Sequence, residues 1–319
     1  MGNEHDEVVV QEVGLRDGLQ RLSSIMPTGD KKHWIDTAYA AGVRHMELAS
    51  FGVLATLPQL IDGAELVAHA RRHDGLVITA VATDEAGARA ALACGVHRIV
   101  APISASALHS LSNVRRTPRE MIEEFRKIRE LRDRTDGTRS TKVVAALATA
   151  LGCAYKGAVP HVEVCDVALQ AVDAGCDELA LADTTGLATP DKVVDLIEIL
   201  RPFCSDKLKT AHFHNTCGLG LANVVAALQC GIHSFDSSLA GLGGADGPKS
   251  ASGNVVTEDL VFMLESMGYR TGIDLRKLMG CRTVLNRTFG QRALEGFVAR
   301  SGVPDEFQLQ PMLWSSTHA

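Results

Sequence analysis

Aromatic side chains are scarce in this chain: Phe, Tyr and Trp together make up 4% of its 319 residues. Ala, Val, Leu and Gly dominate instead, and such small residues suit helices packed tightly on a parallel sheet. Hydrophobic residues still reach 46%, enough for a substantial core. No strong basic block occurs, and the formal net charge is −6. Nucleic acid is therefore not expected as a partner, because neutralising phosphates needs clustered Lys and Arg. The local group Arg115, Arg116 and Arg119 reads better as a solvated helix start than as a contact to an anionic ligand. No apolar run is long enough to span a membrane. None of the eight cysteines forms a CxxC pair, which counts against a structural zinc site. Scattered cysteines and an N-terminus without a signal-like pattern predict a reduced, cytoplasmic protein.

What is present is a repeat. Four times a helical stretch closes on a small residue and Gly before a short apolar run: Ala41-Gly42-Val43, Cys94-Gly95-Val96, Ala174-Gly175-Cys176 and Cys230-Gly231-Ile232. Gly adopts the left-handed conformation that ends a helix and turns the chain toward a sheet. The runs that follow predict strands over His45 to Ala49, Arg98 to Pro102, Glu178 to Ala182 and Ser234 to Ser238. Val8 to Val13, Val77 to Ala82, Val143 to Leu147 and Leu208 to His214 supply the other four. Helical segments alternate with them, over Lys31 to Ala41, Ala64 to Arg72, Glu85 to Cys94, Glu120 to Arg134, Val162 to Ala174, Asp191 to Leu200 and Asn223 to Cys230. Thr257 to Met267 reads as the last barrel helix. Eight βα units predict a closed (β/α)8 barrel, a TIM barrel, over residues 1–270; an open doubly wound sheet is the alternative. Residues 271–319 would form a C-terminal helical extension, helical from Leu275 to Leu294, with a tail past Phe297 that carries Pro304, Pro311 and Trp314.

Barrel chemistry sits at the C-terminal ends of the strands, so polar residues there matter most. His212 and His214 are two apart, which on a strand puts both imidazoles on one face. Two such imidazoles can share a metal, or they can be hydrogen-bonded core histidines. Asp17 and Asn254 can supply a carboxylate and an amide oxygen to complete a mixed site with open positions. That donor set suits Mg²⁺ or Mn²⁺, with Co²⁺ or Zn²⁺ as further options. Glu47 and Asp183 lie in apolar surroundings, where an acid needs a partner or a function. For Glu47 a salt bridge to Arg16 and a catalytic role are equally open. For Asp183, followed by a Thr-Thr-Gly turn, a functional role is favoured. Asp236 is expected to serve structure, bonding to backbone or Ser side chains. The Gly-rich run from Ala240 to Ser250 fails the P-loop pattern because Pro248 stands before Lys249. It reads as a mobile lid, or else an ordinary flexible loop.

Taken together, Gly14-Leu15-Arg16-Asp17-Gly18-Leu19-Gln20, Glu47-Leu48-Ala49-Ser50-Phe51, Leu151-Gly152-Cys153-Ala154-Tyr155, Asp183-Thr184-Thr185-Gly186, His212-Phe213-His214 and Ala251-Ser252-Gly253-Asn254 resemble the 3-hydroxy-3-methylglutaryl-CoA lyase family. The likeness runs from near residue 8 to near residue 290. This family belongs to the barrel metallolyases, which also include condensing synthases and pyruvate aldolases. The resemblance implies retro-Claisen cleavage of a 3-hydroxyacyl-CoA to acetyl-CoA and acetoacetate, with Mg²⁺ or Mn²⁺ on Asp17, His212, His214 and Asn254. Arg16 would stabilise charge on the thioester oxygen, ordered by Glu47 and Asp183. His212, Asp183 or a metal-bound hydroxide would act as base, and Asp246 would act as acid in place of the loop Cys. Gln20, Ser50, Thr184, Gly243 and Gly244 would contact an acyl-CoA substrate, and the assembly would be a homodimer. Departures from the family pattern are Leu15 for Pro, Arg21 for Asn, Asn215 for Asp, and Ala245 where the loop normally carries Cys. A condensing synthase or aldolase on the same barrel is the second reading. A non-catalytic acyl-CoA binder is the third.

Overall fold

The computed structural model describes residues 7–204, 206–243, 253–291 and 294–308. Eight parallel strands close into one barrel: β1 (Val9–Glu12), β2 (His45–Phe51), β3 (Val77–Ala82), β4 (Arg98–Ser104), β5 (Lys142–Ala148), β6 (Glu178–Asp183), β7 (Leu208–Phe213) and β8 (Ser234–Ser237). β1 pairs with β8 in the register Val9↔Ser234 through Glu12↔Ser237, and this closes the cylinder. All eight expected strands are present. The open-sheet alternative is excluded by that last pairing.

The helical layer comprises α1 (Thr28–Ala40), α2 (Gly63–Ala70), α3 (Glu85–Cys94), α4 (Ala107–Val114), α5 (Pro118–Arg134), α6 (His161–Asp173), α7 (Pro190–Cys204), α8 (Gly220–Gln229) and α9 (Thr257–Ser266), followed by α10 (Leu275–Phe289) and the short α11 (Phe297–Ser301). Local sequence sets these boundaries. Asp84 starts α3 by accepting from the Gly87 N–H at 2.8 Å, and Gly95 ends it with φ of 75°. The other three repeated glycines share that positive sign. Thr117 and Glu120 form a reciprocal capping box at α5, with Pro118 in its first turn. α10 packs on α1 and so covers the barrel side.

Three expectations need correction. α4 was not anticipated; its Ser106 cap and eight residues are too short to show a helical stripe. The helix from Leu275 stops at Phe289, because Gly290 takes φ of 73°. The arginine group is not one helix start: Arg115 closes α4 in the left-handed region, while Arg116 lies 4.0 Å from Asp84. Pro311 and Trp314 of the tail lie outside the described residues.

Polar groups cross the barrel interior. β1 and β3 are not neighbours, yet Thr79 Oγ1 donates to Gln11 Oε1 at 3.0 Å, and Gln11 Nε2 donates on to Asp236 Oδ1 at 2.9 Å. Above this relay, Glu12 ends β1 and is fully buried. It accepts from the Gly14 N–H at 2.9 Å, the Leu239 N–H at 3.0 Å and the Thr257 hydroxyl at 2.7 Å. One carboxyl thus joins the turn after β1, the segment after β8 and the start of α9. Burial pushes its pKa up to about 8, against the pull of the Thr257, Leu239 and Gly14 donors.

The folded chain therefore holds a Glu12 proton that the unfolded chain releases near the ordinary value of 4.5. Stability from this group is full below that value and falls as pH rises toward about 8. Glu12→Gln copies the protonated shape, so its denaturation midpoint should fall less steeply over that range than the wild type's. Parallel urea titrations across the interval read the difference; equal slopes would show that Glu12 carries no such proton.

Candidate metal centre and active site

The turn after β1 is a single π-helical turn, Gly14–Gly18, in which the Leu19 N–H reaches back to the Gly14 carbonyl at 2.9 Å. This turn sends Arg16 and Asp17 to different neighbours. Arg16 Nε donates to Glu47 Oε1 at 2.5 Å, and its Nη2 also contacts that oxygen. Arg16 Nη1 donates to Asp17 Oδ1 at 2.9 Å and to Gln20 Oε1 at 3.0 Å. β2 delivers Glu47 at 3% exposure, so the pair is withdrawn from water. Burial opposes the Arg16 charge, but Glu47 and Asp17 outweigh it and raise its pKa. The ion pair with Arg16, one of the two readings open for Glu47, is present.

β7 delivers His212, and His214 follows directly, with ring centroids 5.1 Å apart. Donor atoms of Asp17, His212 and His214 all lie within 4.8 Å of one another. Burial would raise the Asp17 pKa, yet the Arg16 guanidinium and both imidazoles hold it well below the usual carboxylate range. Asn254 bridges to His214 as an isolated antiparallel pair. Its Nδ2 donates to Asp17 Oδ2 at 2.8 Å and to the Leu242 carbonyl at 3.0 Å. Its Oδ1 is buried with no hydrogen-bond partner among the described residues. An acceptor left bare inside a protein is costly unless something fills it. Two imidazoles, one strongly anionic carboxylate and one bare amide oxygen fit a divalent cation. Gly243 is built into this arrangement: a Cβ there would lie 2.5 Å from Asn254 Nδ2.

Asp236 was expected to bond backbone or Ser side chains; among the described residues it bonds Gln11 and His212 instead. Its Oδ2 lies 3.1 Å from His212 Nδ1, while Oδ1 takes the Gln11 amide. Burial lowers the His212 pKa, but the Asp236 hydrogen bond and the charges of Asp17 and Asp236 outweigh it and raise it. The signal that would have found Asp236 is register: it sits opposite His212 on the adjoining strand.

The remaining expected residues divide. Asp183 is fully buried, and its oxygens accept from the Gly186 and Ala188 N–H groups, each at 3.0 Å, and from the Thr185 hydroxyl at 3.3 Å. It organises its own turn rather than reaching Arg16. Thr184 Oγ1 accepts from the Thr149 N–H at 2.7 Å, tying the ends of β5 and β6 together. Ser50 is buried, and its hydroxyl has no hydrogen-bond partner among the described residues. Gln20 faces a cleft of about 490 Å³, shared with Arg21, Gln59, His109, Asn113 and Tyr155. Gly244, Ala245 and Asp246, with most of the proposed lid, lie outside the described residues.

A family model described as HMGL-like matches residues 7–285. The mitochondrial hydroxymethylglutaryl-CoA lyase of Arabidopsis thaliana is 35% identical over 89% of this chain, which spans 60% of that protein's length. The cytoplasmic 3-hydroxy-3-methylglutaryl-CoA lyase of Rattus norvegicus is 33% identical over 92% of this chain and 86% of its own length. An HMG-CoA lyase structure from Acinetobacter baumannii, in complex with coenzyme A and 3-methylmalate, superposes with a TM-score of 0.87 and 34% identity, covering 96% of this chain and 98% of that one.

Asp236 holds His212 through Nδ1, leaving Nε2 as the only ring nitrogen for a ligand. Asp236→Asn removes the charge behind that imidazole, and Mn²⁺ affinity should drop about 10–100-fold. Electron paramagnetic resonance titration of free Mn²⁺ measures this; unchanged affinity would show that Asp236 does not tune His212.

Proposed function

This chain belongs to the HMGL-like family, and on that premise we propose that it is a divalent-metal-dependent lyase cleaving 3-hydroxy-3-methylglutaryl-CoA, or a close 3-hydroxyacyl-CoA, to acetyl-CoA and acetoacetate. The observation that carries the proposal is a charge imbalance at the barrel mouth. Asp17, Glu47 and Asp236 bring three carboxylates against one guanidinium, Arg16, in a largely buried network. With both imidazoles neutral, as metal ligation requires, three minus one leaves two formal negative charges, which a divalent cation offsets.

Asp17, His212, His214 and Asn254 are the residues that would hold the ion, for which Mg²⁺ or Mn²⁺ is proposed. When bound, such an ion acidifies the substrate's 3-hydroxyl and neutralises its carboxylate. Arg16 would then face the thioester oxygen as the 3-hydroxyl proton passes to a water at the mouth, C3 becomes the ketone of acetoacetate and C2 departs with the bonding electrons. Its Nη1 and Nη2 are held by Asp17, Gln20 and Glu47, so the cation meets the growing enolate charge without reorganising. The cleft beside Gln20 offers room for the acyl-CoA. His212 has Nδ1 committed to Asp236, which reserves Nε2 for the ion and argues against a second duty as base. Asp183, saturated with donors, is assigned the positioning of the β6 turn. Asp246 is the proposed donor of the proton that converts the enolate carbon to the acetyl methyl group; full turnover by Asp246→Asn would refute that role. A homodimer and a reduced cytoplasmic setting, the latter in keeping with eight unpaired cysteines, complete the proposal. No helix among the described residues is long and apolar enough to cross a membrane.

The decisive assay follows acetoacetate from 3-hydroxy-3-methylglutaryl-CoA with Mn²⁺ or Mg²⁺. Turnover should vanish with chelator and return with metal. Arg16→Gln should lower kcat about 10²–10³-fold, the usual loss of an oxyanion donor. Metal-loaded protein that makes no acetoacetate would overturn the substrate assignment; cleavage of pyruvate-derived hydroxy acids instead would favour the aldolase branch.

A further inference from the structure

A second cluster of metal-capable side chains lies far from the mouth. α1 and α2 run side by side on the outer layer, and their facing sides form a ladder of charged rungs. Lys31 meets Asp62, with Nζ 2.7 Å from Oδ1, and Lys32 meets Glu65 at 2.5 Å. One turn further on, the third rung differs. Asp36 receives two imidazoles on the same oxygen, Oδ1: His69 Nε2 at 2.7 Å and His73 Nε2 at 2.8 Å. Donor atoms of all three residues lie within 4.8 Å of one another.

An ion-pair rung needs a single cationic side chain, as the first two show. Two ring nitrogens converging on one carboxylate oxygen form instead the donor set of a chelate. The imidazoles are also held in place. His73 stacks on Tyr39 with centroids 4.3 Å apart and planes 28° apart. The Tyr39 hydroxyl donates to the Asp74 carbonyl at 2.8 Å, and the Arg44 guanidinium lies 4.1 Å from the Tyr39 ring centroid. Side-chain exposures of 13% for His69, 21% for His73 and 45% for Asp36 leave one side open to water.

We propose that Asp36, His69 and His73 form a second metal site, taking a transition metal of the zinc class and stapling α1 to α2. Two imidazoles and one carboxylate, with water in the fourth position, suit zinc; an ion that prefers oxygen ligands, such as Mg²⁺, is disfavoured there. His73 lies in the short connection from α2 to β3, so the site lies at the N-terminal end of the barrel, opposite the mouth. That end serves stability rather than chemistry. Metal there ties two helices of the outer layer without touching the reacting groups.

The test is Zn²⁺ titration of the full chain against a competing chelator, with His69→Gln/His73→Gln beside the wild type. Glutamine retains a donor toward Asp36, and circular dichroism confirms that the fold is kept. The double variant should bind one Zn²⁺ fewer per chain, lose the Zn²⁺-induced rise in Tm that this site provides, and keep Mn²⁺-supported turnover at the wild-type rate. His212→Gln/His214→Gln, altered only at the mouth, should retain the equivalent that the first variant loses. A Zn²⁺ stoichiometry unchanged by His69→Gln/His73→Gln overturns the proposal, whatever the mouth variants do.

Discussion

Closure of the barrel between β1 and β8 is the constraint on which the site depends. Four consecutive register pairs fasten the first strand to the last. They bring Asp17 within hydrogen-bond reach of Asn254, 237 residues away in sequence. They also set Gln11 beside Asp236, and so link Thr79 on β3, through Gln11 and Asp236, to His212 on β7. A chain of hydrogen bonds across the interior orients a ring at the mouth. Parallel strands running from a common floor deliver their C-terminal ends to one place, which is why a barrel collects reactive groups there.

The electrostatics of the mouth follow from that collection. Burial opposes the charges of Arg16, Asp17 and Glu47, and the single guanidinium offsets the two carboxylates only in part. Arg16 is shared between Glu47 and Asp17, and Asp17 in turn faces both imidazoles. Removing any one group would leave its partners exposed to the full cost of desolvation. Asn254 adds an acceptor without a charge: its amide nitrogen is spent on Asp17 and Leu242, which fixes which atom remains for a ligand. Rigidity of this kind lets a cation and an enolate be met by groups already in place.

Much of this is legible in the sequence itself. The small-residue–Gly–apolar repeat gave away the βα unit, and the two-residue spacing of His212 and His214 gave their common face. What stayed hidden depends on register or on short local structure. Asp236 looked structural because nothing in its own neighbours, Phe235 and Ser237, reveals that His212 lies opposite. Glu12 bonds to three distant segments, and no local pattern records that. The eight residues of α4 are too few to show amphipathic spacing. Asp183 drew attention as a buried acid, but the N–H groups that saturate it belong to the next turn, whose geometry only the fold supplies.

The mouth is a preformed, over-anionic cradle for one divalent ion. Thermal unfolding with and without Mn²⁺ tests it most directly, since an ion that binds only the folded chain must raise Tm. The account predicts a concentration-dependent rise for the wild type that is lost in Asp17→Ala while the fold is retained. An equal rise in both proteins would place the ion elsewhere and contradict the account.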